Sequence, residues 1–392
     1  MKPDFVLAYA AVGYAEIYLE TLRKEFGIER LQQPERFAIF IDHNIPATTE
    51  KNEKMHAATR EWCREQGVAL YERQGIGHLV AAEAGYATPG AFVVHFDGHV
   101  AQLGALGTLA MGIRFNILEA FVRPDIPVKV PATTRIEFTG ALGPGVMARD
   151  VFHHLVAQVG SGGCRGTIME LGGEGLARFS LGDLQGITGL AMFTGATGAI
   201  VNPTPEALAY AMPRARARIE PVWSDPDAVY AAVHRIALDQ VQPVIVLPPS
   251  PANTRPLADH IGLPVDVGYI GSCASGRIED LRAAAHVLAG RRIKPGFQLN
   301  VVPSSNEIMA QASREGLLVT LVEAGAFVSS PTCSYCYGAL GGMLPGQRAL
   351  STGTLNVRGR MGSVDAEIYL ASAASVAAAA IEGRVADPRP FF

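Results

Sequence analysis

The chain has 392 residues, 48% hydrophobic and 18% charged, with 42 Gly and 25 Pro, a composition that fits an ordinary globular protein of two or three domains. A formal net charge of −4 gives no reason to expect nucleic acid or an anionic membrane as partner. No signal peptide is expected from Met1-Lys2-Pro3-Asp4-Phe5, Ala371 to Ile381 is too short to span a bilayer, and five cysteines are too few for a disulfide framework. A reducing, cytoplasmic setting is expected.

Residues 5–12 are apolar, and Ala15 to Phe26 has helical spacing on Ile17, Leu19, Leu22 and Phe26. The continuous apolar run Phe37 to Ile41 predicts a strand buried on both faces, delivering Asp42-His43-Asn44 at its end. A charged helix over Thr49 to Gln66 and a strand over Val68 to Tyr71 lead into Gly75-Ile76-Gly77-His78. A third strand, Phe92 to Phe96, runs into Asp97-Gly98-His99 and a small-residue helix over Leu103 to Ile113. Strand, turn and helix thus recur three times with a histidine at each turn, which predicts a doubly wound α/β layer. An aspartate beside a histidine can fix its tautomer and raise its pKa, making a usable proton donor.

A boundary is expected near residue 127, before an edge strand within Val128 to Gly140. A helix over Ala148 to Val159 follows, then the run Gly160 to Cys164, which lacks the register of a phosphate-binding loop. Glu170 lies in the apolar strand Ile168 to Leu171. An amphipathic helix is predicted over Asp227 to Asp239, inside a third unit spanning 216–392. That unit has a strand over Val265 to Ile270, a cysteine turn, a helix to Ala289, a βα unit over Gln298 to Ala312, the run Leu317 to Glu323, a second cysteine turn and a helix over Ala371 to Glu382.

The two turns read Gly271-Ser272-Cys273-Ala274-Ser275 and Pro331-Thr332-Cys333-Ser334-Tyr335-Cys336. Cys-x-x-Cys plus one distant cysteine makes three thiolates, one short of a closed tetrahedral site. A redox pair, a zinc half-site and simple core filling fit that spacing too. Cys63 and Cys164 are read as packing.

Gly271 to Ala285 resembles the cluster-binding turn of the aconitase superfamily, nearest the large subunits of 3-isopropylmalate dehydratase and homoaconitase. Pro331 to Cys336, with Pro345-Gly346-Gln347-Arg348 and Gly359-Arg360, resembles that family's second cluster turn. The resemblance covers nearly the whole chain. It implies three doubly wound α/β/α domains (1–127, 128–215 and 216–392) around a central cleft, without the swivelling fourth domain. It further implies a [4Fe–4S] cluster held by Cys273, Cys333 and Cys336, leaving one iron open to a hydroxy-acid substrate. Asp42-His43, His78 and Asp97-x-His99 would line the cleft, with His99 or His43 delivering the proton. Glu170 and His78 would orient the hydroxyl or water. Ser272, Asn356, Arg358 and Arg360 would bind substrate. The family's catalytic base sits on the swivel domain, so a small partner subunit is expected.

Several family words are altered. Asp-Ser-His is here Asp97-Gly98-His99, and Ser-Cys-Thr-Asn is Ser272 to Ser275. Thr354-Leu355 stands where Asn-Arg precedes Asn356-Val357-Arg358-Gly359-Arg360, and the first strand ends Ala8-Tyr9-Ala10-Ala11 where a polar residue is usual. Leucine cannot replace an arginine's bidentate carboxylate contact. A substrate smaller or less charged than citrate, homocitrate or 3-isopropylmalate is expected, with Arg358 and Arg360 as a displaced grip. The alternatives are an authentic 3-isopropylmalate or homoaconitate dehydratase subunit, and a non-catalytic homologue that binds a metal or cluster.

Overall fold

The computed structural model describes residues 1–9 and 21–392. Of the helix expected over Ala15 to Phe26, residues 15–20 lie outside the described residues, as do Ala10 and Ala11, while 21–24 are helical with Leu22 buried. The architecture is α/β, as expected, and is built on three sheets.

The first sheet is parallel, in the order β3-β2-β1-β4-β5. Its strands are β1 (Phe5–Tyr9), β2 (Phe37–Ile41), β3 (Ala69–Glu72), β4 (Phe92–His95) and β5 (Leu109–Gly112). β2 is buried along its whole length, as a continuous apolar run between two layers should be. Helix α1 (Glu50–Gln66) starts where the Thr49 hydroxyl accepts from the Asn52 amide, and it ends at left-handed Gly67. The helix expected over Leu103 to Ile113 is instead 3-10 turns over Gly98–Leu106 followed by β5. A side chain at Gly104 would sit 1.8 Å from the Ala199 carbonyl oxygen, so this segment packs too tightly against the second sheet for ordinary residues.

The second sheet, order β8-β7-β6-β9, is also parallel. It comprises β6 (Ala132–Thr139), β7 (Thr167–Gly172), β8 (Gly198–Val201) and β9 (Ala232–Ala237). Two expectations are corrected here. β6 is central, with Pro131 just outside it. The segment read as a helix over Asp227 to Asp239 is β9, paired along β6, so this sheet reaches past residue 215.

The third sheet, order β11-β10-β16-β15-β12-β13-β14, pairs parallel except at β10 with β11 and with β16. It contains β10 (Val244–Val246), β11 (Thr254–Pro256), β12 (Val267–Ile270), β13 (Gln298–Val301), β14 (Phe327–Val328), β15 (Arg348–Ser351) and β16 (Glu367–Leu370). One apolar core runs through the first and second sheets, and another lies within the third. A separate buried cluster joins Ile76 and Leu79 of the first unit to Tyr269 and the three cysteines of the turns. Among the described residues, no helix is long and apolar enough to cross a membrane.

The first and third sheets meet at the carboxyl ends of their strands. Gly75 makes an antiparallel bridge to Ser305 at φ +133°, where a side chain would come within 2.5 Å of the Ser304 carbonyl oxygen. Helix α2 (Gly77–Glu83) then runs along this joint, and its Glu83 accepts from the Ser305 hydroxyl. Burial pushes the Glu83 carboxyl up to about 7; Ser305 opposes this and Glu307 adds to it. Such a carboxyl binds more protons folded than unfolded, so stability falls as pH rises between its two pKa values. Glu83→Gln is expected to flatten that slope and to add about 2 kcal/mol above neutrality. Urea unfolding on either side of the window checks this.

Candidate active site

Asp42 leaves the end of β2 nine-tenths buried or more, with each carboxylate oxygen occupied. Oδ1 lies 2.6 Å from His43 Nδ1, and Oδ2 accepts from the Gly77 amide at 2.7 Å. Gly77 permits this, since a side chain there would strike Phe40 at 2.7 Å. Burial alone would raise the Asp42 carboxyl, but His43, Gly77 and His78 together hold it below the usual carboxylate range. Burial likewise opposes the charge on His43, and Asp42 outweighs it, with Cys336 and Asp97 adding, so the imidazole pKa is raised. The pair is poised as an imidazolium on a carboxylate.

The next two turns bring in three further histidines. His78, in the first turn of α2, is pushed down by burial despite Asp97. His95, the last residue of β4, packs 4.7 Å from it, ring to ring. Burial, with His78 adding, pushes His95 down to about 3. Its Nδ1 accepts from the Asp97 amide at 2.8 Å, so Nε2 carries the proton. Asp97 caps the following turn through the His99 amide, and its carboxyl is held low by His99 and His78 against burial. His99 Nδ1 donates to the Gly189 carbonyl at 2.7 Å, leaving Nε2 as the available nitrogen. Three of these histidines are buried, and His43 is only half-buried.

The first cysteine turn leaves β12. The Thr352 hydroxyl accepts from the Gly271 amide and lies 2.8 Å from that residue's carbonyl. Ser272 sits at φ +94°, an uncommon conformation for a residue with a side chain, and its hydroxyl donates to the Thr352 carbonyl at 2.9 Å. Arg277 closes the turn, donating to Gln102 and to the Cys273 carbonyl, before helix α3 (Ile278–Leu288) begins. In the second turn Cys336 N donates to Cys333 O, and Cys333 N donates to Asp42 O at 3.0 Å.

All three cysteines are free and at most 8% exposed, and they lie close enough to affect one another's charge. Burial pushes the Cys273 thiol up. Cys333 shares its proton with Cys336, which raises its own pKa and lowers that of Cys336, with Arg360 and the Thr354 amide adding to the latter effect. Arg360 Nη2 lies 3.7 Å from Cys336 Sγ and keeps its charge through all three thiols despite burial. Among the described residues, no three His, Cys, Asp or Glu side chains gather tightly enough for a single metal ion. A multi-iron cluster spreads its thiolate ligands more widely than one ion does.

Asp42, His43, His78, Asp97, His99 and the three cysteines are therefore brought together. Glu170 is bonded within the second sheet. It faces across the second sheet, accepting from Arg135, from Ser224 at 2.6 Å and from Tyr230 at 3.2 Å. Glu170→Gln is expected to cost about 1–3 kcal/mol in urea unfolding, with little change in kcat. A steep fall in kcat at unchanged stability would return Glu170 to the reaction.

Ser272 and Asn356 are committed elsewhere as well. The Asn356 amide donates to the Leu247 carbonyl at 2.9 Å. Arg358 is exposed and has no bonding partner among the described residues. Sequence reasoning missed His95, whose signal was a histidine inside the run Phe92 to Phe96, and Tyr337, which directly follows Cys336.

The family model described as aconitase family (aconitate hydratase) matches residues 25–383. A 3-isopropylmalate dehydratase large subunit 1 from Methanopyrus kandleri is 37% identical over 372 residues, covering 94% of this chain and 89% of the relative. The 3-isopropylmalate dehydratase large subunit of Aquifex aeolicus is 35% identical, covering 97% and 90%. The crystal structure of Thermococcus kodakaraensis aconitase X in its holo-form shares the fold at a TM-score of 0.51 and 12% identity, covering 90% of this chain and 83% of that one. With its cysteine turns and Asp/His turns facing one another, the chain belongs to the aconitase family and is a hydro-lyase.

Proposed function

We propose that the chain is the cluster-bearing large subunit of a dehydratase for a small hydroxy acid, with Cys273, Cys333 and Cys336 holding a [4Fe–4S] cluster. The observation that carries this reading is the Cys333 amide donating to the Asp42 carbonyl, which sets the cysteine turn beside the Asp42–His43 pair. When bound, the cluster supplies an iron with an open position, a Lewis acid for the substrate hydroxyl.

The chain's own residues supply the rest. His43, held charged by Asp42, protonates the departing hydroxyl through Nε2, because Nδ1 is taken by the carboxylate. His78 and His95 stay neutral and contribute polar walls without adding positive charge. Asp97 and the Gly189 carbonyl fix His99, which presents Nε2 as a second polar contact. Arg360 offsets the negative charge of the thiolates, so Arg358 is the arginine left to grip a carboxylate. With Leu355 replacing an arginine, a substrate less charged than citrate or 3-isopropylmalate follows. A second reading, action on 3-isopropylmalate itself, is favoured by the names of relatives 35–37% identical over most of the chain. We place the working units at 1–127, 128–240 and 241–392, in a reducing cytoplasm that keeps the thiols free.

The described chain offers no placed base for the substrate carbon, and the relatives are named large subunits, so a small partner subunit completes the site. The purified, anaerobically reconstituted chain is expected to show no hydro-lyase turnover alone and to gain it with the small subunit. A panel of hydroxy acids including citrate and 3-isopropylmalate decides between the two substrates. Efficient dehydration by the chain alone rejects the partner.

A further inference from the structure

We propose that Tyr337 is a positioning residue for the proton donor, holding His43 in plane between Asp42 and the cysteine turn. The inference rests on the reading of His43 as that donor. A single hydrogen bond at Nδ1 fixes one point of the imidazole and leaves the ring free to pivot about it. Tyr337 removes that freedom: its ring stacks on His43 with centroids 5.3 Å apart and planes 29° from parallel.

The phenol is itself anchored. Its oxygen accepts from the Asn44 amide at 3.0 Å and donates to Asn44 Oδ1 at 3.1 Å. Asn44 is left-handed, at φ +55°, a conformation asparagine tolerates better than most residues. The peptide between His43 and Asn44 is also held from below, where His56 Nε2 donates to the His43 carbonyl at 3.1 Å. Tyr9 adds a second ring at 4.9 Å from the imidazole. The Arg360 guanidinium lies 6.0 Å from the Tyr337 ring centroid, so one phenol ring neighbours both the imidazolium and the arginine cation. Tyr337 therefore ties the donor's plane to the turn carrying Cys333 and Cys336.

Two arms test this. The first follows the His43 ring-carbon proton in the full-length chain with isotope-labelled histidine, assigned with His43→Gln and needing neither substrate nor partner. Tyr337→Leu is expected to move this resonance out of the Tyr337 ring current, whereas Tyr337→Phe, which keeps the ring and loses both bonds to Asn44, moves it only part of the way. Asn44→Gly, which keeps the left-handed turn but drops the amide, should move it part of the way, and it stands in if the leucine variant does not fold. The second arm is kinetic, on the complete enzyme. Tyr337→Leu should cut kcat about a hundred-fold with KM within about three-fold, and phenylalanine should recover it to within about ten-fold.

An unmoved resonance in both Tyr337→Leu and Asn44→Gly overturns the proposal, as does a rise in KM at constant kcat, which would put the ring on the substrate. If the wild-type enzyme turns over no hydroxy acid, the functional reading fails, and the resonance arm still decides whether Tyr337 holds His43.

Discussion

Cys336→Ala is expected to abolish the brown absorbance near about 400 nm, together with the bound iron. Turnover should fall at least about a thousand-fold, because several kcal/mol of Lewis-acid stabilisation disappear. The substitution also strips Arg360 Nη2 of its sulfur acceptor while Arg360 Nε is already buried without one. A stability loss of about 1–3 kcal/mol should accompany the loss of iron. Cys63→Ala is the control. Cys63 lies on the buried face of α1, in the apolar cluster against the first sheet, and burial alone pushes its thiol up to about 12, so it packs without ligating. Iron content and turnover should survive there at a modest cost in unfolding free energy. Loss of iron from the Cys63 variant, or its retention by the Cys336 variant, would contradict the ligand assignment.

Asp42→Asn should produce the second largest effect although it preserves shape. The carboxylate accepts from two donors, one on each oxygen: the His43 imidazole and the Gly77 amide. Asparagine offers one acceptor oxygen; with that oxygen on the Gly77 amide, its NH2 faces His43 Nδ1, which can accept only as the neutral Nε2–H tautomer. Losing the charge-assisted bonds of the buried pair is expected to cost about 1–3 kcal/mol. His43 loses the anion that favours its charged form, and kcat should fall about a thousand-fold. Urea unfolding and steady-state kinetics measure the two losses separately. A folded Asp42→Asn protein with unchanged kcat would move proton delivery from His43 to His99.

The site was more legible in the sequence than parts of the scaffold, for a physical reason. Phe37 to Ile41 and Phe92 to Phe96 are continuous apolar runs, and such runs in a parallel sheet announce both the strand and the turn at its end. β9, read as a helix, alternates half-buried and exposed residues over only six positions and takes its register from β6, almost a hundred residues earlier. Its identity comes from its partner. The partner of Glu170 was hidden for the same reason, because the parallel register places it opposite Arg135 and that pairing is invisible in the linear chain. His95 was hidden by its setting, since an apolar strand makes a buried histidine look like packing. The roles of Ser272 and Asn356 depended on where their hydrogen bonds go, which turn residues do not reveal in sequence. The cysteine turns were legible because serine, glycine and cysteine together mark a strained turn that presents side chains.

The Cys333 amide is bonded to a main-chain carbonyl, so no side-chain replacement at Asp42 can delete that link. The strand bearing the acid and the loop bearing two thiols are one mechanical element, although they are nearly three hundred positions apart in sequence. Grafting a different first unit onto this chain, to change what it dehydrates, would therefore retain the geometry of its second cysteine turn only if the peptide after Ile41 kept its path. Deuterium uptake at the Cys333 nitrogen would report, in any such hybrid, whether the two halves still close on each other.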